Sequence, residues 1–170
     1  MKYLIIFLLS GLSLFAGKPL QREINFYKPY LEKWEGYKTV RYFDKGNIPT
    51  VGIGHNLKFE KYNKLGSVYS RAEIEYFFSN DLEIALNTAR SSIRNFDGLH
   101  PDAKLVVISM IWQTGPQGFL KWENFRLALS HKMYSLASTE LKNSKWWREK
   151  QSSEARRQDH FSRLDNINQK

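Results

Sequence analysis

The sequence contains no cysteine, which excludes a disulfide framework and any zinc site built on thiolates. Histidine is scarce. His55, His100, His131 and His160 are scattered with no ligand-type spacing, so the chemistry is expected to run without a metal or other cofactor. The 5 prolines and 10 glycines nowhere gather into a linker, and no internal repeat or low-complexity block divides the chain. Long apolar runs are missing too. The longest uncharged stretch near the start, Tyr3 to Phe15, falls short of the ~20 residues of a typical membrane span. Acidic side chains are the minority charge, 17 against 26 Lys and Arg, for a net charge of +9. At 170 residues, with 42% hydrophobic and 15% aromatic side chains, the chain suits one domain that rests on its own core.

Lys2, the uncharged Tyr3–Phe15 stretch and the small residues Ala16 and Gly17 read as a secretory signal over residues 1–16. Ser10, Gly11 and Ser13 keep open a releasable signal anchor that touches the membrane only transiently. Either reading sends residues 17–170 across the inner membrane, to a secreted or periplasmic location. A cationic protein is drawn to nucleic acid, anionic membrane surfaces or bacterial walls. Export argues against nucleic acid and for walls. With no linker, the exported part is expected to be one compact monomer.

Residues 20–34 carry apolar side chains at helical spacing, interrupted by Pro29, which predicts a kink or restart. From Tyr37 the pattern changes. The β-formers Thr39, Val40, Tyr42 and Phe43, a turn signal at 44–47, and Thr50–Gly54 predict a hairpin sheet. Ser70 and Glu73 form a capping box before a helix that buries Ile74, Phe77, Phe78, Leu82, Ala85, Leu86 and Ala89. Pro101 opens a helix apolar almost all round, with Ser109 the only polar interruption between Leu105 and Trp112, and Gly115–Gly118 ends it. Further helices are predicted at 122–131, 134–142 and 154–164, with a shorter turn at 145–147. The fold class is therefore α+β, mostly α. A small lobe with a hairpin sheet (about 17–80) precedes a larger all-helical lobe (about 81–170), with a cleft between them.

The stretch that points to chemistry runs from Trp34 to His55. Glu35 ends a helix beside Trp34, where apolar neighbours disfavour a charged carboxyl and favour proton donation near neutrality. Asp44 sits in a turn, where solvent and backbone amides favour the charged form. Two carboxyls in contrasting settings are a general solution for splitting a glycosidic bond. Thr50 adds a hydroxyl able to hold a water. Gly52-Ile53-Gly54 lacks the third glycine and the βαβ setting of a nucleotide loop.

The pattern Glu35-Gly36, seven residues, Asp44, five residues, Thr50-Val51-Gly52-Ile53-Gly54-His55 resembles the signature of the phage-type lysozymes, a glycoside hydrolase family. That resemblance implies a lysozyme-like fold and a catalytic triad of Glu35, Asp44 and Thr50. It implies hydrolysis of the β-1,4 bond between N-acetylmuramic acid and N-acetylglucosamine in bacterial peptidoglycan, with an inverting outcome. It further implies that Asp81 partners His55, that Trp112, Asn56 and Glu140 meet the sugar chain, and that Arg156 or Arg157 lies near Glu35. The chain departs from the family at 150–154, where Thr-Pro-Gly is frequent in relatives, and at Asn56 and Glu140. Trp146 and Trp147 read as packing residues, with Trp146 buried. The basic tract Arg148, Lys150, Arg156, Arg157 and Arg163 reads as a solvated helix face, or as an aid to adsorption on anionic walls. The competing readings are a wall-binding module without catalysis, a nucleic-acid binder with aromatic platforms, and membrane disruption by cationic helices.

Overall fold

A computed structural model describes residues 18–44, 46–58 and 68–169; the expected signal segment, 1–16, lies outside the described residues. Among the described residues the order is α1 (Gln21–Glu35), β1 (Lys38–Phe43), β2 (Pro49–Gly52), β3 (His55–Asn56), α2 (Arg71–Ser92), α3 (Pro101–Leu120), α4 (Glu123–Ser130), α5 (Tyr134–Asn143), α6 (Lys145–Arg148) and α7 (Glu154–Asp165). Short 3-10 turns occupy Phe96–Gly98 and Asn166–Gln169. The architecture is mostly helical with one small antiparallel sheet near the N-terminus, in the order β1-β2-β3.

Pro29 does not restart α1 as its position predicted. The helix runs unbroken from Gln21 to Glu35, with Pro29 exposed and Tyr27, Tyr30 and Leu31 buried on the other side. A proline ring removes one backbone donor; here tertiary packing of the buried face holds the helix across it. The second strand is also shorter than expected. It stops at Gly52, and Ile53-Gly54 turn the chain into β3, a third strand that the sequence pattern did not predict.

The sheet's register sorts its side chains. Tyr42 pairs with Thr50 and Thr50 with Asn56, so these three form one row across the sheet. Directly opposed residues share a face, and neighbours along a strand point to opposite faces. Val51, between Thr50 and Gly52, is therefore turned away from that row. It is fully buried in a small cluster with Leu57, Tyr69 and Ile74, the last from the first turn of α2.

The capping box at Ser70 forms as predicted: Glu73 N donates to Ser70 Oγ at 3.2 Å, and Ser70 N donates to Glu73 Oε2 at 2.7 Å. A cap of this kind is worth about 1 kcal/mol. Phe77 departs from expectation. It is only partly buried, and its ring stacks on that of His55 with centroids 4.3 Å apart and planes 3° apart. The main core gathers around α3, where Ala103, Val106, Val107, Ile108, Met110 and Ile111 are buried. Regular helical geometry breaks within α3 at Gly115, where the sequence predicted its end. Trp146 is buried against α3 and α7, and its indole Nε1 donates to Gln113 Oε1 at 3.0 Å. The basic C-terminal tract is not a solvated face throughout. Arg156 and Arg157 are 4% and 8% exposed, because the helix that carries them packs against α3 and α5.

Candidate active site

Glu35 is the last residue of α1, and the helix end delivers its carboxylate to the margin of the sheet. Its Oε1 accepts a hydrogen bond from Arg156 Nη1 at 2.8 Å, so the apolar setting expected beside Trp34 is joined by a buried cation. Its Oε2 lies beside Gly54. A side chain begun at Gly54 would stand 3.6 Å from Glu35 Oε2 and 3.4 Å from Trp112 Nε1, so glycine keeps this margin open.

Gly54 opens onto a groove of about 490 Å³ whose lining includes Asp44, Thr50, Asn56, Asp81 and Trp112. Thr50 and Asn56 of the sheet form one side, α3 forms another, and Asp81, Ile84 and Ala85 of α2 complete it. Asp44 is fixed by its own turn: the backbone amides of Gly46 and Ile48 each donate to its Oδ1 at 2.8 Å. Thr50 is nearly buried, and its hydroxyl donates to Ile48 O at 2.9 Å. That bond spends the only hydroxyl proton, so Thr50 Oγ1 can act toward a further ligand only as an acceptor. Tyr42, opposite Thr50 in the sheet, feels both carboxylates. Burial, then the charges of Glu35 and Asp44, push its phenol above the usual range.

His55 Nδ1 lies 2.8 Å from Asp81 Oδ2, the pairing that the resemblance implied, and ties the sheet to α2. Trp112 Nε1 donates to Ile53 O at 3.0 Å, so the indole serves both as groove wall and as a clasp between α3 and the β2–β3 turn. Glu140 is not in this groove. It lines a neighbouring hollow of about 740 Å³ with Asn143 and Lys145, and the two hollows meet at Gln113 and Thr114. Arg156 is the arginine that reaches Glu35. Arg157 instead donates from Nη1 to Ser152 O and lies 5.8 Å from the Trp147 ring.

Sequence reasoning missed Tyr42, Gln113 and the group behind Arg156. Gln113 accepts from Trp146 through Oε1 and donates to Gln151 O through Nε2 at 3.2 Å, joining α3 to α6 and the loop after it. Arg156 Nη2 donates to Ser109 Oγ at 2.8 Å and lies 3.2 Å from Ser109 O. The signal for that contact was present, since Ser109 was the one polar residue between Leu105 and Trp112, but a period alone does not say what a buried hydroxyl meets.

A family model described as "Phage lysozyme" matches residues 32–159, a span that takes in α1's end, the sheet, α2 to α6 and the first half of α7. The Dictyostelium discoideum protein described as "Probable T4-type lysozyme 1" is 24% identical over 148 residues, covering 72% of this chain and 85% of the relative. The helical architecture with its small N-terminal sheet and the extent of the family match agree, and the chain therefore belongs to the phage lysozyme family and is a glycoside hydrolase.

Proposed function

We propose that this glycoside hydrolase is an N-acetylmuramidase that cuts the β-1,4 bond between N-acetylmuramic acid and N-acetylglucosamine in bacterial peptidoglycan. Glu35 is the general acid. Asp44 and Thr50 hold the attacking water. The observation that carries the reading is the shared groove: Asp44 and Thr50 line it together, and Glu35 Oε2 lies against Gly54 on its wall.

The atoms divide the work. Arg156 occupies Glu35 Oε1, which leaves Oε2 to carry the proton for the leaving oxygen. A water in the groove can donate one hydrogen to Thr50 Oγ1, which is an acceptor only, and the other to the Asp44 carboxylate. Its lone pair is then directed at the anomeric carbon. Attack from that side and protonation from the other give inversion, with Asp44 taking the water's proton as general base. Asn56 and Trp112 would contact the sugars at the groove, and Glu140 would do so one hollow further along.

Glu35→Gln keeps the shape of the side chain and the bond to Arg156, but it cannot release a proton to the leaving oxygen. It should lower release of reducing ends from purified peptidoglycan by ~10²–10⁴-fold while the protein stays folded. Undiminished release would falsify the assignment. Binding to walls with no release by the parent protein would favour a module without catalysis.

A further inference from the structure

Ser109 is wholly buried in α3 between Ile108 and Met110. A hydroxyl taken from water into an apolar core is costly unless it is hydrogen-bonded. Ser109 Oγ has two partners from α7, Arg156 Nη2 at 2.8 Å and His160 Nε2 at 3.0 Å. His160, also wholly buried, has Tyr30 Oη 3.1 Å from its Nδ1, and Tyr30 Oη is 2.6 Å from Asp159 Oδ2. Asp159 is held in turn by Arg163 Nε at 2.9 Å and Lys33 Nζ at 3.1 Å.

Donor and acceptor chemistry at the two ends, with a neutral ring between them, sets the direction of the whole chain. A guanidinium can only donate, so Ser109 Oγ accepts from Arg156 and keeps its own proton to donate to a bare His160 Nε2. A carboxylate can only accept, so Tyr30 donates to Asp159 over the shorter of its two contacts, and its oxygen accepts from His160 Nδ1. Nδ1 of His160 therefore carries a proton, and full burial keeps the ring neutral, which leaves Nε2 bare. The ring's surroundings agree. From its own helix it faces Arg156, Arg163 and Asp159; from α1, Tyr30; from α3 and α6, the uncharged Ser109 and Trp146. The indole of Trp146 stacks on the ring with centroids 5.8 Å apart.

We propose that Ser109 and His160 are positioning residues for the hydrolysis: a one-way chain of buried hydrogen bonds, running from Arg156 to Asp159, aims Nη1 of Arg156 at Glu35 Oε1 and so presents Oε2 to the groove. The inference rests on Glu35 being the acid. Neither residue lines the groove, so neither can act by touching the sugar. A guanidinium without the Ser109 hydroxyl keeps its charge and its longer bond to Ser109 O at 3.2 Å, but loses the shorter bond to Oγ at 2.8 Å that fixes its rotation. The carboxylate it holds then samples orientations in which Oε2 turns from the groove, and small misplacements of a reacting group are costly.

Two measurements test this. Nitrogen-15 NMR of the full chain near neutral pH should show His160 with a protonated Nδ1 and a bare Nε2; the opposite tautomer overturns the chain whatever any variant does. Ser109→Ala and His160→Phe should each lower kcat roughly ten- to hundred-fold on purified sacculi, with the half-saturating wall concentration unchanged. The double variant should be no worse than either single one. His160→Gln, whose amide can both donate and accept, should recover most of the loss. Parental kcat in Ser109→Ala, with Glu35→Gln inactive, sinks the positioning role alone; full activity in Glu35→Gln sinks the acid assignment beneath it.

Discussion

A methyl group added at Gly52 would sit 2.8 Å from Cγ2 of Ile74, on a backbone with φ of +64°. At Gly54 the added methyl would meet only ordinary contacts, Trp112 Nε1 at 3.4 Å and Glu35 Oε2 at 3.6 Å, with φ of +79°. The two alanine variants should therefore fail differently. Gly52→Ala combines left-handed strain with overpacking and should cost about 2–4 kcal/mol of stability, with activity lost only as far as the fold is lost. Gly54→Ala should cost about 1–2 kcal/mol, yet lose more activity, because its methyl covers the oxygen proposed to deliver a proton. Thermal midpoints beside reducing-end release separate the two; equal activity per folded molecule would refute the distinction. At this scale the sequence was informative where residue type and spacing coincide. Glu35, Asp44 and Thr50 could be picked out because they lie within one short stretch. Arg156 could only be narrowed to one of two neighbours, since helix phase decides which of the two buried arginines reaches Glu35.

The helix α7 shows what an element adds. Arg156, Asp159, His160 and Arg163 recur at helical spacing, and in a sequence such a stripe looks like a solvated face. Here it is turned toward the core, with Arg156 and His160 buried. The consequence is acid sensitivity. Burial, with the nearby charges of Arg156 and Arg163, pushes His160 down to about 4 from 6.5, against the opposing pull of Asp159. The folded state then binds fewer protons than the unfolded chain between those two values, so stability rises with pH across that window. His160 should cost nothing above pH 6.5, and its burial should forfeit on the order of 3 kcal/mol as pH falls through 4. Asp159 acts in the same sense at lower pH. Burial alone would raise it, but hydrogen bonds from Tyr30, Arg163 and Lys33, with the His160 ring nearby, outweigh that and hold it well below the carboxylate range. Denaturant titrations from pH 7 to pH 4 should show this loss in the parent and a flatter profile in His160→Gln. Identical slopes would assign the acid sensitivity elsewhere.

At the scale of the molecule, a charge of +9 on a protein whose substrate is an anionic polymer should govern encounter more than chemistry. Raising salt from ~0.05 to ~0.5 M shortens the screening length several-fold and should slow lysis of whole walls, while hydrolysis of a short soluble peptidoglycan fragment changes less. Salt-independent lysis would show that adsorption does not limit the rate.

The sequence by itself determined the main helices, the Ser70 cap of α2, the presence of a hairpin sheet, the family, and the motif that nominates the site. These depend on side chains a few residues apart, where periodicity, capping and turn chemistry act. It could not determine the unbroken course of α1 through Pro29, the third strand β3, or the inward face of α7. Nor could it pair Glu35 with Arg156 across 121 residues, Ser109 with His160 across 51, or Tyr30 with Asp159 across 129. Those pairings exist because packing around α3 brings distant helices together, and a buried polar group must find its partner among whatever the fold delivers.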